Sequence, residues 1–276
     1  MDRASFGSPA SIKRIARAIP GALVRHQDIA GFDQEAYSQA SVLCIGAGGL
    51  ISFVAPTLCR KGIGRLMILD RDVVEASNLN RQMFFPRDIG KNKAHSLVRN
   101  LQPYCTADTV LVGYGCNFED AAVLDVHMNP DVVVCGIDNN PGRVAASRYF
   151  RQQGIPAVFL AVSANGDHGY VFLQERSGPC LGCLFPDMVN DDRHPCPGTP
   201  AIADILQTIG GLAVYAIDTV LSARKRTWNY RRLLLSDGGG DGSAVIGVRL
   251  GCSLNRHSAD ENHCASPPRT GRRNGK

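Results

Sequence analysis

Long apolar runs are scarce in these 276 residues. No N-terminal stretch has the continuous apolar core of a secretory signal. The longest later run, 209–221, is interrupted by Asp218 and too short to span a bilayer, so no membrane-spanning role is expected. Ten cysteines are too few for a disulfide-dense scaffold of this length, and Cys44, Cys59 and Cys135 fall inside apolar runs and read as core. Charge of one sign is also limited. The net charge is +5, and much of the excess sits in Lys13, Arg14 and Arg17 at one end and Arg269, Arg272, Arg273 and Lys276 at the other. Such tails are solvated arms, able to steer an acidic protein partner; gripping nucleic acid would need a basic face within the fold.

What is present fits a folded globular chain: 44% of residues are hydrophobic and 20% charged, and no internal repeat is found. The length suits one large α/β domain with a long insertion, or two small domains. The late cysteines, Cys180 and Cys183 among them, fit a reducing, cytoplasmic compartment with a metal site. Residues 12–19 are basic and amphipathic enough to leave organelle targeting open.

Residues 40–46 (ASVLCIG) predict a short strand ending in Gly46, Gly48 and Gly49, followed by a helix over 50–61 that Gly62 and Gly64 stop, and a second strand over 65–70 (RLMILD). Further on, the pattern predicts a helix over 91–101, strands over 106–113 and 131–136, a helix over 145–154 and a strand over 157–162. Alternating strands and helices imply an α/β fold with a Rossmann-like, doubly wound, mostly parallel sheet. Residues 178–200 are rich in Pro, Asp, Cys and Gly and read as a crossover loop. A helix over 201–222 follows, then a small β extension from 231–236 and 244–249, and a disordered tail after Ser266.

The turn Gly46-Ala47-Gly48-Gly49 between a strand and a helix can cradle phosphate with backbone amides at the helix N-terminus, although the same turn can be merely structural. Asp70, 24 residues past Gly46, ends the second strand where an acid binds ribose hydroxyls. Those two features alone suit a nicotinamide oxidoreductase. The segment that follows does not.

Residues 70–82 run Asp-Arg-Asp-Val-Val-Glu-Ala-Ser-Asn-Leu-Asn-Arg-Gln, which resembles the D-x-D-x-V-x-x-S-N-L-x-R-Q signature of the ThiF, MoeB and ubiquitin-activating-enzyme family. Gly90-Lys91-Asn92-Lys93-Ala94 is similar to that family's lysine-bearing segment, and Cys135-Gly136-Ile137-Asp138-Asn139 to its acid-bearing one; the resemblance covers about 25–221. It implies three regions: a variable basic stretch over 1–24, a ThiF-type adenylation domain over 25–265, and the tail over 266–276.

The implied activity is ATP-dependent adenylation of the C-terminal carboxylate of a small ubiquitin-like protein with a glycine-terminated tail. The implied nucleotide residues are Gly46, Gly48, Gly49, Asp70, Asp72, Asn78, Arg81, Gln82, Lys93 and Asp138, with Arg25 reaching over the nucleotide of a partner subunit in a homodimer. Arg81 and Lys93 would neutralise phosphate charge and Asp138 would hold Mg²⁺, unless Asp138 only caps the helix near Pro141. Arg143 could assist Asp138 or simply pair with it.

Cys180-x-x-Cys183 looks like half of a tetrahedral zinc site. Cys264 is the expected third ligand, with Cys252, His257 or His263 as the fourth; free thiols without metal are the alternative. Cys196 is expected to capture the activated carboxyl, with zinc ligation as its rival role. Downstream, transfer to a carrier protein or to a sulfur donor both remain open, and a non-catalytic scaffold that binds a ubiquitin-like partner is the competing class.

Overall fold

Five apolar runs line up as parallel strands in a computed structural model that describes residues 11–123, 129–190, 201–235, 241–252 and 254. They are β2 (Ser41–Ile45), β3 (Arg65–Leu69), β4 (Thr109–Tyr114), β5 (Val132–Cys135) and β6 (Ala157–Val162). β1 (Ser11–Ala16) flanks them on one side, and β7 (His168–Gln174), β8 (Tyr230–Leu234) and β9 (Gly242–Ala244) on the other. The sheet order is β1-β4-β3-β2-β5-β6-β7-β8-β9. β2 pairs in parallel with both β3 and β5, Val42 lying opposite Leu66 and Val132. From β2 the chain winds outward through β3 and β4, then returns to build β5 and β6 on the other side. That reversal leaves a crevice at the C-terminal ends of β2 and β5, where such sheets bind ligands.

Both faces of the parallel strands are covered, which is why they read as unbroken apolar runs. Val42, Cys44, Val132, Val134, Val158 and Leu160 point to one layer. It is built by α2 (Ile51–Arg60), α3 (Lys93–Leu101) and α7 (Ala203–Leu221). Leu43, Ile45, Val133, Cys135 and Phe159 point to the other, against Phe118 of α4 (Phe118–Val123), Phe150 of α5 (Asn140–Gln152) and Leu181 of α6 (Leu181–Leu184). α1 (Gln34–Gln39) leads into β2 and buries Tyr37.

The structure alters several expectations. Residues 11–16, read as part of a basic arm, form β1, antiparallel to β4. A strand that is mostly exposed, carries Lys13 and Arg14 and buries only Ala16 is tolerated because it lies at the sheet edge. β7 to β9 are antiparallel as well, and the β extension pairs Tyr230–Leu234 with Gly242–Ala244 rather than with 244–249. α5 begins at Asn140, five residues early, because the Asn139 side chain accepts the Gly142 N–H at 2.8 Å and Pro141 fits the first turn.

α7 runs 19 residues and is long and apolar enough, by composition, to cross a membrane; half of its apolar window is buried, and it packs on α2, β6 and β7. Its Asp218, 1% exposed, is paired with Lys61 at 2.6 Å and Arg224 at 2.9 Å.

Candidate functional site

At the end of β2 the chain must turn sharply. Gly46 does so at φ +94°, donating its N–H to the Leu69 carbonyl at 2.7 Å. A Cβ there would stand 3.2 Å from Ile137 Cγ2, so glycine meets both the conformational and the packing demand. A Cβ on Gly48 would meet nothing within 4 Å, because that residue borders an open cleft of about 580 Å³. α2 then starts without a side-chain cap and without an acid in its first turn. The Ser52, Phe53 and Val54 N–H groups are taken by the Gly48 and Leu50 carbonyls, so the positive end of the helix dipole faces the glycine turn ahead of them, an arrangement suited to an anion.

Asp70 stands beside this turn. One carboxylate oxygen accepts the Ala47 N–H at 2.7 Å and the other the Asp72 N–H at 2.8 Å. Burial outweighs those bonds and the nearby Lys93 charge, and pushes the carboxyl up to about 6. The segment after it is pinned from several sides. Asn78, buried, accepts the Glu75 N–H at 3.0 Å, and Arg81 Nη1 donates to Ser77 O at 2.8 Å and Asn80 Oδ1 at 2.9 Å. Ser52, next to Ile51 where the third glycine of a dinucleotide turn would stand, donates to Gly48 O at 3.0 Å and accepts Met83 N–H at 2.9 Å, tying α2 to the loop.

Arg81, Gln82, Lys93, Asp72 and Asn78 line the cleft together with Gly46, Gly48, Gly49, Asp70 and Asp138. Gln82 Oε1 is buried without a hydrogen-bond partner. Lys93 opens α3 behind its Asn92 cap and reaches Asp72 Oδ2 at 3.1 Å. Asp138 is exposed on the opposite wall, and since Asn139 caps α5, its carboxylate is not used as the helix cap.

The cleft also holds Glu119, from the loop and helix after β4, a residue that no motif marks; its position past the end of a parallel strand is the signal the sequence carries for it. Arg143 turns away from Asp138 and donates instead to Ile137 O, Tyr170 Oη and Leu160 O. Arg25 lies exposed in the turn Val24–His26 and does not border the cleft. His26 bonds Gln34, which bonds the Lys61 carbonyl at the far end of α2.

A second cluster gathers Cys180, Cys183 and Cys252, with all three Sγ atoms within 4.8 Å of one another. The Cys180 sulfur lies 3.7 Å from Cys183 and 3.5 Å from Cys252. Tetrahedral Zn–S bonds of about 2.3 Å put ligand sulfurs about 3.8 Å apart, so the donor set and its spacing fit zinc. Burial first, and the neighbouring thiols with it, push Cys180 up to about 12, a cost that a bound cation would remove. Cys252 thus joins the C-x-x-C pair, while Cys264, His257, His263 and the proposed nucleophile Cys196 lie outside the described residues.

The family model described as the ThiF family matches residues 21–241. The chain belongs to the ThiF family. Among ThiF-like relatives, a SAMP-activating enzyme E1 of Haloferax volcanii is 33% identical over 174 residues, 61% of this chain and 62% of that one, so the match spans under two thirds of the relative's length. A sulfur carrier protein adenylyltransferase of Thermus thermophilus is 31% identical over 199 residues, 70% of this chain and 73% of that protein. Escherichia coli MccB, solved with AMPCPP and MccA, superposes with a TM-score of 0.67 at 20% identity, covering 80% of this chain and 68% of that one. At that identity the likeness supports the ThiF-type fold alone.

Proposed function

We propose that this chain uses ATP to adenylate the C-terminal carboxylate of a small ubiquitin-like protein, releasing pyrophosphate. The observation that carries the reading is the convergence on one cleft of Arg81, Lys93 and Asp138 with the glycine turn and the uncapped start of α2. The names of the Haloferax and Thermus relatives, an activating enzyme and a carrier-protein adenylyltransferase, point the same way.

A carboxylate oxygen attacks the α-phosphorus as pyrophosphate leaves, so the protein's work is to position the reactants and to neutralise charge. The amides of Gly48 and Gly49 and the start of α2 hold phosphate oxygens. Arg81 and Lys93 balance the charge that builds on the leaving pyrophosphate. Asp70, ionised above about pH 6, takes a ribose hydroxyl as donor. Asp138 would hold Mg²⁺, which would supply charge neutralisation at the phosphates.

In the same reading, Cys196 accepts the activated acyl group, Arg25 serves the nucleotide of a second copy in a homodimer, and zinc at Cys180, Cys183 and Cys252 braces the crossover. Transfer then runs to a carrier protein or to sulfur, in the cytoplasm.

The test is to incubate the chain with ATP and small proteins ending in Gly-Gly, and to look by intact mass for the acyl-adenylate. Its appearance with a native tail and absence with the last two glycines removed supports the reading. Stable binding without any adenylate would make the chain a scaffold.

A further inference from the structure

Arg143 sits on α5, buried to 6% exposure, and uses three donor nitrogens on three separate parts of the fold. Nε donates to the Ile137 carbonyl at 2.7 Å, Nη1 to the Tyr170 hydroxyl on β7 at 2.8 Å, and Nη2 to the Leu160 carbonyl on β6 at 3.1 Å. Ile137 immediately precedes Asp138. Its side chain is confined as well: a Cβ on Gly46 would come within 3.2 Å of Cγ2 and one on Gly142 within 2.7 Å of Cδ1. The peptide that carries Asp138 is therefore fixed by packing on one side and by a guanidinium on the other.

We infer that Arg143 is a positioning residue that sets the place of the Asp138 carboxylate at the cleft, with Tyr170 as the second half of the clamp. The inference rests on Asp138 acting as the Mg²⁺ ligand in the proposed adenylation. A guanidinium suits this task because its planar fork addresses several acceptors at fixed angles; a lysine ammonium on the same stem could not span all three. Tyr170 is itself held by ring contacts with Phe185 and Tyr230, at centroid distances of 5.1 and 5.9 Å. Burial raises the Tyr170 hydroxyl's pKa, so it stays neutral and accepts the Arg143 N–H. No shared charge links Arg143 to Asp138; the connection is mechanical, through one carbonyl.

The experiment measures ATP binding to the full chain by calorimetry, with and without magnesium chloride, for the native protein, Tyr170→Phe, Arg143→Lys, Asp138→Asn and the double variant Tyr170→Phe with Asp138→Asn. Tyr170→Phe is the milder change and keeps the ring contacts. Loss of one bond to a charged donor is expected to weaken binding of ATP with Mg²⁺ on the order of tenfold, with magnesium-free binding unchanged. In the Asp138→Asn background the same substitution is expected to do nothing more, because the group it positions is gone.

Equal weakening with and without Mg²⁺, or an effect that persists in the Asp138→Asn background, would overturn the clamp and leave Arg143 as a core brace. Loss of Mg²⁺ dependence in Asp138→Asn with none in Tyr170→Phe or Arg143→Lys would also overturn it, while the proposed function stands. Mg²⁺ dependence that survives Asp138→Asn would overturn the clamp together with the role of Asp138 in holding Mg²⁺, while adenylation itself stands.

Discussion

Lys93 holds Asp72 twice: its backbone N–H donates to the Asp72 carbonyl at 2.8 Å and its ammonium lies 3.1 Å from the Asp72 carboxylate. The lysine side chain is 14% exposed and the aspartate 56%, so the cation is the sheltered member and the anion the exposed one. A triphosphate entering the cleft presents a denser negative charge than one carboxylate and competes for the same ammonium. Lys93→Ala is expected to weaken ATP binding by tenfold or more, at roughly 1.5–3 kcal/mol for a charged hydrogen bond. Asp72→Asn should leave it within about threefold, since an exposed ion pair contributes roughly 0–1 kcal/mol. Equilibrium ATP binding by the two variants distinguishes these outcomes.

The half-buried Asp70 predicts a pH dependence. Its carboxyl titrates near 6 in the folded chain and near about 3.9 unfolded. Between those values the folded state holds the extra proton, so this group's contribution to stability is present below about 4 and is lost as pH rises through 6. Asp70→Asn should remove that part of the slope in denaturant titrations between pH 4 and 6. Because the ionised form is the hydroxyl acceptor, ATP affinity should fall as pH drops below 6 in the native chain and be flatter in the variant.

Gly46 joins strand, turn and Asp138 loop at one point. Gly46→Ala places a methyl in a left-handed conformation and 3.2 Å from Ile137. Thermal denaturation should show a loss of about 1–3 kcal/mol, along with weaker nucleotide binding. Gly48→Ala, where a Cβ meets no protein atom within 4 Å, should cost little stability and act on binding alone.

At the cysteine cluster, elemental analysis of the purified chain should find about one zinc per molecule. Cys180→Ser and Cys252→Ser should each release it and lower the melting temperature, and a strong chelator should reproduce the effect on the native chain. A zinc content unchanged by Cys252→Ser would remove that residue from the site.

Much of this architecture was legible because β2, β3, β5 and β6 are buried on both faces and so read as plain apolar runs between glycines. The elements that escaped have a weaker signature. β1 is an edge strand with one buried residue, and its charges look like those of a solvated arm. The start of α5 carries no apolar periodicity; its signal lies in Asn139 and Pro141. The cleft residues in the 70–82 segment, with Lys93 and Asp138, could be named because a contiguous motif holds them. Glu119 belongs to no such motif and reaches the cleft only through the sheet topology. Arg143 shows the limit most clearly: spacing places it beside Asp138, yet its partners Leu160 and Tyr170 are brought to it by β6 and β7.

The central claim is adenylation in this cleft, and ATP–pyrophosphate exchange driven by a small glycine-terminated ubiquitin-like protein tests it most directly, comparing the native chain with Asp138→Ala and Cys196→Ala. The account predicts exchange that is lost in Asp138→Ala and kept in Cys196→Ala, since the cysteine acts only after the adenylate forms. Exchange undiminished in Asp138→Ala would contradict it.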